Sequence, residues 1–135
     1  MNAIPSQLPP PANLAVAYTP VAFRAAFTLL LQLDMRFADI VRKAREPMIA
    51  QIKLAWWRDA FALEPAQRPK GEPLLQSLGE CGESIKLSAL QDLVSAWELL
   101  LSEDAWAAQD VEAHAALRGR AIFGSYAVWI GQAFD

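Results

Sequence analysis

The chain has 135 residues, a mass of 14.9 kDa and a formal net charge of −3. A chain of this length forms one domain or a piece of one. Its basic residues are scattered, which argues against nucleic-acid binding because phosphate contacts need a clustered basic surface. The only cysteine is Cys81 and the only histidine is His114. These counts exclude an internal disulfide, a cysteine-based zinc site and a histidine-rich metal site.

The N-terminal stretch is rich in proline. Residues 1–16 are predicted to form a flexible, proline-rich leader, and the folded domain is predicted to occupy residues 17–135. The leader has neither the basic start nor the apolar core of a signal peptide. No stretch reaches the roughly 18 uncharged, apolar residues of a membrane span. We therefore expect a cytoplasmic protein.

Two long helices are predicted next. A threonine and proline pair, followed by a helical apolar period, indicates a helix from Pro20 to Arg45. A second helix is expected from Pro47 to Leu63, where proline occupies the first helical position. This second helix is apolar on both sides, which is typical of a central helix. We therefore expect Trp56 and Trp57 to be buried and Asp59 to point inward beside an arginine, a hydroxyl or a bound cation.

Shorter helices complete the predicted fold. One is expected from Pro73 to Glu80. Ser88, followed three residues later by glutamine, forms a capping box that predicts a helix as far as Leu101. Asp110 is expected to cap a last helix, in which Gly119 indicates close approach of a neighbouring helix. No segment has the alternation of a strand, so the sequence predicts an all-α protein.

Two carboxylates of the first long helix are candidates for chemistry. Asp34 lies within the apolar stripe, and Asp39 lies on its flank. Residues five apart on a helix diverge by about 140°, so the two do not form a shared two-ligand metal site. From the residues alone, Asp34 is either a core carboxylate paired with an arginine or part of a binding site. His114 is expected to be a surface or half-buried helix residue. The tryptophans either belong to the core or line an apolar tunnel: Trp56, Trp57, Trp97, Trp106 and Trp129.

Several segments together resemble the N-terminal half of the squalene/phytoene synthase family. The similarity extends from Ala17 to Gly131. The matching segments are Tyr18-Thr19-Pro20 with Arg24, LQLDMRFADIVRKAREPM, LAWWRDAF, Pro73-Leu74-Leu75 and Arg118-Gly119. The resemblance implies an all-α isoprenoid synthase fold and the head-to-head condensation of two prenyl diphosphates. It also implies Mg²⁺ held against the diphosphates by two aspartate-rich helical motifs.

The resemblance assigns candidate site residues. The family's first motif, two aspartates four residues apart, falls on Ala38 and Arg42, and Asp39 beside it is the candidate metal ligand. The second motif is expected on a later helix, beyond Asp135. The candidate substrate-binding residues are Tyr18, Arg24, Asp34 and Arg42.

Two functions follow from the sequence. The first is a prenyl diphosphate transferase, or a remnant of one. The second is a non-catalytic binding or assembly protein, because the chain also resembles the divergent branch related to respiratory complex I assembly factors. Ala38 and Arg42 favour the second function and make the chain a candidate pseudoenzyme. We expect a prenyl diphosphate or another apolar ligand, a protein partner, and peripheral contact with a membrane.

Overall fold

The protein is all-α, as predicted. A computed structural model describes residues 8–101 and 108–133, and no strand occurs in these two ranges. The α-helices are α1 (Pro10–Ala17), α2 (Arg24–Lys43), α3 (Pro47–Ala62), α4 (Pro73–Cys81), α5 (Leu87–Glu98) and α6 (Ala108–Ala133). Short 3₁₀ turns cover Val21–Phe23, Pro65–Gln67, Gly82–Ser84 and Leu99–Leu101.

The core lies where α2, α3, α5 and α6 meet. α5 packs most extensively against α6 and next against α3, while α2 contacts α3, α4, α5 and α6. Aliphatic and aromatic side chains at helical spacing fill the space between them. The most deeply buried of these are Leu29, Leu30, Leu33, Phe37, Ala50, Leu54, Leu93, Val94, Ala96 and Ala121. Burial of such side chains is the main source of stability in a helical domain.

Polar bridges fix the helices relative to one another. Arg58 of α3 donates hydrogen bonds to Glu98 and Ser95 of α5. The hydrogen bonds that Arg58 donates to Glu98 raise the pKa of the Arg58 guanidinium, against the opposing effect of burial. Trp129 of α6 donates its indole N–H to the carbonyl oxygen of Ser84, at 2.8 Å.

The N-terminal segment differs from the prediction. Residues 10–16 were expected in a flexible leader, but they belong to α1, which has proline at its first position, and Leu8 before it is buried. Proline suits the first turn of a helix because no intrahelical partner is available there for an N–H group. The predicted start of the next helix at Pro20 is also wrong, since α2 begins at Arg24. The division of domains at residue 17 stays a prediction, and residues 1–7 lie outside the described ranges.

α3 has the predicted bounds to within one residue, but only one of its two apolar faces is buried. Trp57 is 3% exposed, whereas its neighbour Trp56 is 42% exposed. Asp59 is exposed, so its predicted inward position is wrong. Adjacent residues on a helix point about 100° apart, and a single layer of neighbouring helices can cover only one of these two directions.

Three predictions at helix ends and contacts are also wrong. α5 begins at Leu87, and Ser88 forms no side-chain cap. α6 includes residues before Asp110, which lies in the first turn and is not the capping residue. In the described part of the chain, the only atom within 4 Å of a β-carbon built at Gly119 belongs to Phe123 of the same helix. No neighbouring helix in the described ranges therefore requires a glycine at this position.

Candidate functional site

A cleft of about 880 Å³ opens beside the middle of α2. This volume lies within the roughly 300–1,000 Å³ that is usual for small-ligand sites. Its described lining comes from α2, the turn before α3, the end of α5, the following 3₁₀ turn and α6. The lining residues are Asp34, Met35, Ala38, Val41, Arg42, Ala44, Arg45, Pro47, Trp97, Leu100, Leu101, Val111, His114 and Arg118.

Asp34 lies at the inner end of the cleft and is saturated with hydrogen bonds. The Nε–H of Arg118 donates a hydrogen bond to Asp34 Oδ1, at 2.8 Å, and its Nη2–H donates one to Oδ2, at 2.6 Å. Trp97 adds its indole N–H to Oδ1 at 2.9 Å. The carboxylate is buried, and its pairing with an arginine confirms one of the two interpretations that the sequence left open. Such pairing is needed because an unpaired buried carboxylate is costly.

Arg118 connects this buried carboxylate to the open part of the cleft. Its side chain is 46% exposed, and its guanidinium carbon lies 6.0 Å from the centre of the Trp97 ring. Asp34 uses the Nε hydrogen and one hydrogen of Nη2, so both hydrogens of Nη1 and the second hydrogen of Nη2 are left for a ligand. The hydrogen bonds with Asp34 raise the pKa of the Arg118 guanidinium, while burial acts in the opposite direction. Arg118 therefore stays positively charged throughout the physiological pH range.

Asp39, five residues further along α2, has a different environment. Its carboxylate accepts a hydrogen bond from Arg42 at 2.9 Å, and Lys43 Nζ lies 3.9 Å from its other oxygen. All three side chains are substantially exposed. Asp39 itself does not line the cleft, but Arg42 and Arg45 do. The outer end of the cleft is therefore positively charged.

His114, predicted to be a surface or half-buried helix residue, is half-buried and lines the cleft. Its Nδ1 lies 2.7 Å from the carbonyl oxygen of Ala96, and a carbonyl can only accept, so Nδ1 carries a proton. Its ring stacks edge-on against Trp97, with 4.5 Å between the ring centres. Nε2 is the ring nitrogen left for a ligand. The spacing of four residues from His114 to Arg118 puts both on one face of α6, and this signal could have identified the pair.

Comparison with known protein families decides which family this fold represents. The model of the squalene/phytoene synthase family matches residues 12–119. The chain belongs to this family. Comparisons with curated proteins and with solved structures gave no match. For this squalene/phytoene synthase family member, the match takes in α2 to α5 and the part of α6 that carries His114 and Arg118.

The family implies Mg²⁺, and the two carboxylates of α2 do not fit it. Mg²⁺ prefers carboxylate and water oxygens in octahedral geometry. Both oxygens of Asp34 are bonded to Arg118, and Asp39 is bonded to Arg42 and flanked by Lys43. The described residues contain no group of three or more His, Cys, Asp or Glu side chains that could hold a metal ion. The predicted role of Asp39 as a metal ligand remains a prediction without geometric support.

The candidate substrate-binding residues do not all lie in the cleft. Asp34 and Arg42 line it, whereas Tyr18 and Arg24 are not among its described lining residues. Tyr18 is 79% exposed. Arg24 donates hydrogen bonds to the carbonyl oxygens of Thr19, at 2.9 Å, and of residue 17, at 3.1 Å. Arg24 thus stabilises the end of α1.

The tryptophans are divided in the same way between core and site. Trp97 lines the cleft, Trp57 and Trp129 are buried in the core, and Trp56 is partly exposed. Trp106 lies outside the described ranges. The tryptophans that are described therefore do not line one common tunnel.

None of the helices in the described ranges combines the length and the apolarity that crossing a bilayer demands.

Proposed function

We propose that this chain is a non-catalytic member of the squalene/phytoene synthase family that binds a prenyl diphosphate, or a similar ligand with an apolar tail and an anionic head, without Mg²⁺. One observation carries the proposal. Both carboxylates of α2 are engaged by arginines, while three arginines line the same cleft as a set of apolar side chains.

The charge balance of the cleft supports an anionic head group. Its described lining contains Arg42, Arg45 and Arg118 but a single carboxylate, that of Asp34. Guanidinium groups suit phosphates because they donate two parallel hydrogen bonds and stay charged. Arg42 and Arg45 leave the ends of their side chains exposed at the outer end, where a diphosphate can reach them.

The rest of the cleft supports an apolar tail. Met35, Ala38 and Val41 lie along one face of α2, and Leu100 and Leu101 lie opposite in the 3₁₀ turn after α5. A tail placed between them would be removed from water, which favours binding in proportion to the apolar area that is buried. Ala38 contributes a methyl group at a position where the resemblance predicts a metal-binding aspartate.

The absence of catalysis is proposed on chemical grounds. Departure of a diphosphate needs its developing charge to be neutralised in a fixed geometry. In the described residues, the available groups are arginine side chains at a partly solvated cleft mouth. They can bind a diphosphate, but the carboxylates that would position cations beside it are already paired.

The proposal is tested by equilibrium binding and by a product assay. Farnesyl diphosphate should bind in the presence of EDTA, and farnesol, which has no diphosphate, should bind at least about tenfold more weakly. The double variant Arg42→Gln/Arg45→Gln should lose about tenfold in affinity for farnesyl diphosphate. Lys43→Gln removes one positive charge from a neighbouring residue outside the cleft lining and is the control, to be compared with Arg42→Gln alone, with an expected change below about twofold.

The product assay addresses catalysis directly. Farnesyl or geranylgeranyl diphosphate is incubated with the chain and Mg²⁺, and we expect neither pyrophosphate release nor a condensed hydrocarbon. Turnover that is abolished by Asp39→Ala would contradict the proposal and would make Asp39 a metal ligand.

A second candidate function is an assembly protein that acts through a protein partner. The observation that favours it is the exposed apolar face of α3, where Met48 is 66% exposed and Ile52 is 64% exposed. Neither residue lines the cleft. The cytoplasmic location, the peripheral membrane contact and the lack of nucleic-acid binding stay predictions.

A further inference from the structure

Two polar groups at the inner end of the cleft have no hydrogen-bond partner among residues 8–101 and 108–133. One is Nη1 of Arg118, because Asp34 takes up the guanidinium through Nε and Nη2 only. The other is Nε2 of His114, because the carbonyl oxygen of Ala96 takes up Nδ1. We call these two atoms the inner pair, and both of their side chains line the cleft.

The two side chains of the inner pair lie side by side. His114 and Arg118 are four residues apart on α6, a spacing that puts their β-carbons about 5 to 6 Å apart on one face. Both also lie against the indole of Trp97. The His114 ring centre is 4.5 Å from the Trp97 ring centre, and the guanidinium carbon of Arg118 is 6.0 Å from it. One small group of a ligand can therefore reach both atoms.

The inner pair combines a hydrogen-bond acceptor with a donor. Since Nδ1 of His114 carries the proton that bonds Ala96, Nε2 of the neutral ring is an acceptor. Nη1 of Arg118 can only donate. A carboxylate would bring its own lone pairs against Nε2, and a methyl group would satisfy neither atom. A hydroxyl group suits both, because it donates one hydrogen bond and can accept another.

An unmodified prenyl tail would cover the inner pair without satisfying it. With the diphosphate at Arg42 and Arg45, the tail runs inward along α2 toward Asp34. Asp34 and Arg42 are eight residues apart, which corresponds to about 12 Å along the helix. An extended chain covers this distance in about ten covalent bonds. Polar groups that lose water on binding and gain no hydrogen bond lower the affinity.

From this arrangement we propose that the ligand of the cleft carries a hydroxyl group at the end of its tail, about ten bonds from the diphosphate. The hydroxyl donates to Nε2 of His114 and accepts from Nη1 of Arg118. The ligand class is an ω-hydroxylated prenyl diphosphate, and His114 is the residue that sets this specificity. The inference rests on the proposed function, since the diphosphate at Arg42 and Arg45 fixes the direction of the tail.

The test compares three ligands on the full chain. They are geranyl diphosphate and two derivatives in which a terminal methyl group is replaced by a hydroxymethyl group or by a carboxylate. Isothermal titration calorimetry in EDTA at pH 8 gives the three affinities; this pH is chosen because only a neutral imidazole accepts a hydrogen bond. The hydroxymethyl derivative should bind at least about tenfold more tightly than geranyl diphosphate, and more tightly than the carboxylate derivative.

Two substitutions of His114 separate ligand recognition from a structural role. His114→Asn keeps an N–H group that can bond the carbonyl oxygen of Ala96 but has no acceptor at the position of Nε2. The preference for the hydroxymethyl derivative should fall to about threefold or less. His114→Gln is the matched variant, because its amide oxygen can reach the position of Nε2, and it should keep a preference of at least about fivefold. A purely structural role would change the affinities for all three ligands by the same factor.

The outcomes distinguish this inference from the proposed function. Equal binding of geranyl diphosphate and its hydroxymethyl derivative would overturn the inference and leave the proposed function standing. A carboxylate derivative that binds tightest would overturn the assignment to a hydroxyl group. A preference that His114→Asn leaves unchanged would overturn the role of His114. If none of the three ligands binds, and farnesyl diphosphate does not bind either, the proposed function fails and the inference fails with it.

Discussion

The two carboxylates of α2 lie only five residues apart and have opposite environments. Asp34 faces inward, is buried, and is held by Arg118 and Trp97 from two other helices. Asp39 faces outward and is bonded to Arg42 of its own helix and flanked by Lys43. The inner carboxylate joins distant parts of the chain, and the outer one only compensates local charge.

Although their environments differ, Asp34 and Asp39 are both occupied by arginines. Neither carboxylate is therefore free to bind a metal ion, while the arginines keep the cleft positively charged. Asp34 orients Arg118 through two hydrogen bonds, and Asp39 orients Arg42 through one. In each case the carboxylate acts on an arginine that lines the cleft. The groups that face a ligand are therefore cationic, which matches an anionic head group better than a divalent metal ion.

The largest loss of stability is expected when the charge of the inner carboxylate, Asp34, is removed. Asp34→Asn should destabilise the chain by about 2 to 3 kcal/mol, which is less than the roughly 3 to 5 kcal/mol of a fully buried pair because Arg118 is half exposed. Urea unfolding followed by circular dichroism measures the change. Asp92→Asn, which loses its bond to the exposed Arg120, is the control and should cost under about 0.5 kcal/mol. An unchanged midpoint for Asp34→Asn would mean that Asp34 is not the structural centre of the cleft.

A smaller effect is expected from the second donor to Asp34. Trp97→Phe keeps an aromatic ring but loses the indole N–H that bonds Asp34, so it should destabilise the chain by about 1 kcal/mol beyond any packing change. Trp56→Phe alters an exposed tryptophan and serves as the control for loss of ring size. Equal effects of the two substitutions, measured by the same urea unfolding, would show that the bond to Asp34 contributes nothing.

The smallest stability effect should come from the outer carboxylate. Asp39→Asn should change the free energy of unfolding by less than about 0.5 kcal/mol, because its ion pairs are exposed. It should also release Arg42 and raise the affinity for farnesyl diphosphate in EDTA by about two- to fivefold. Isothermal titration calorimetry measures this affinity, and a loss of binding would indicate that Asp39 itself holds the ligand.

Much of the fold was predictable because local signals and the apolar period agreed. Pro47 and Pro73 each begin a helix where the sequence predicts it. Asp34, placed in an apolar stripe, was expected either to pair with an arginine or to bind a ligand, and it does pair with one. Its partner Arg118 is 84 residues away, and no local rule could select it from the other arginines.

The remaining errors arise where burial depends on which neighbours cover a helix. The periodicity of α3 gives two apolar faces, and only packing decides that Trp57 is covered and Trp56 is not. The sequence likewise predicts α1 poorly, because a proline cluster is compatible both with an extended leader and with the first turn of a helix. The half-buried position of His114 was predicted, but its place in the cleft was not, because that depends on Trp97 of another helix.

We propose that the cleft binds an anionic, apolar-tailed ligand through arginines and needs no metal ion. The most direct test is to titrate farnesyl diphosphate into the unchanged chain in EDTA and again in millimolar Mg²⁺. We expect measurable binding in EDTA, with an affinity that Mg²⁺ changes by less than about twofold or weakens. Binding that is detected only with Mg²⁺, or that Mg²⁺ strengthens by more than about tenfold, would contradict the account.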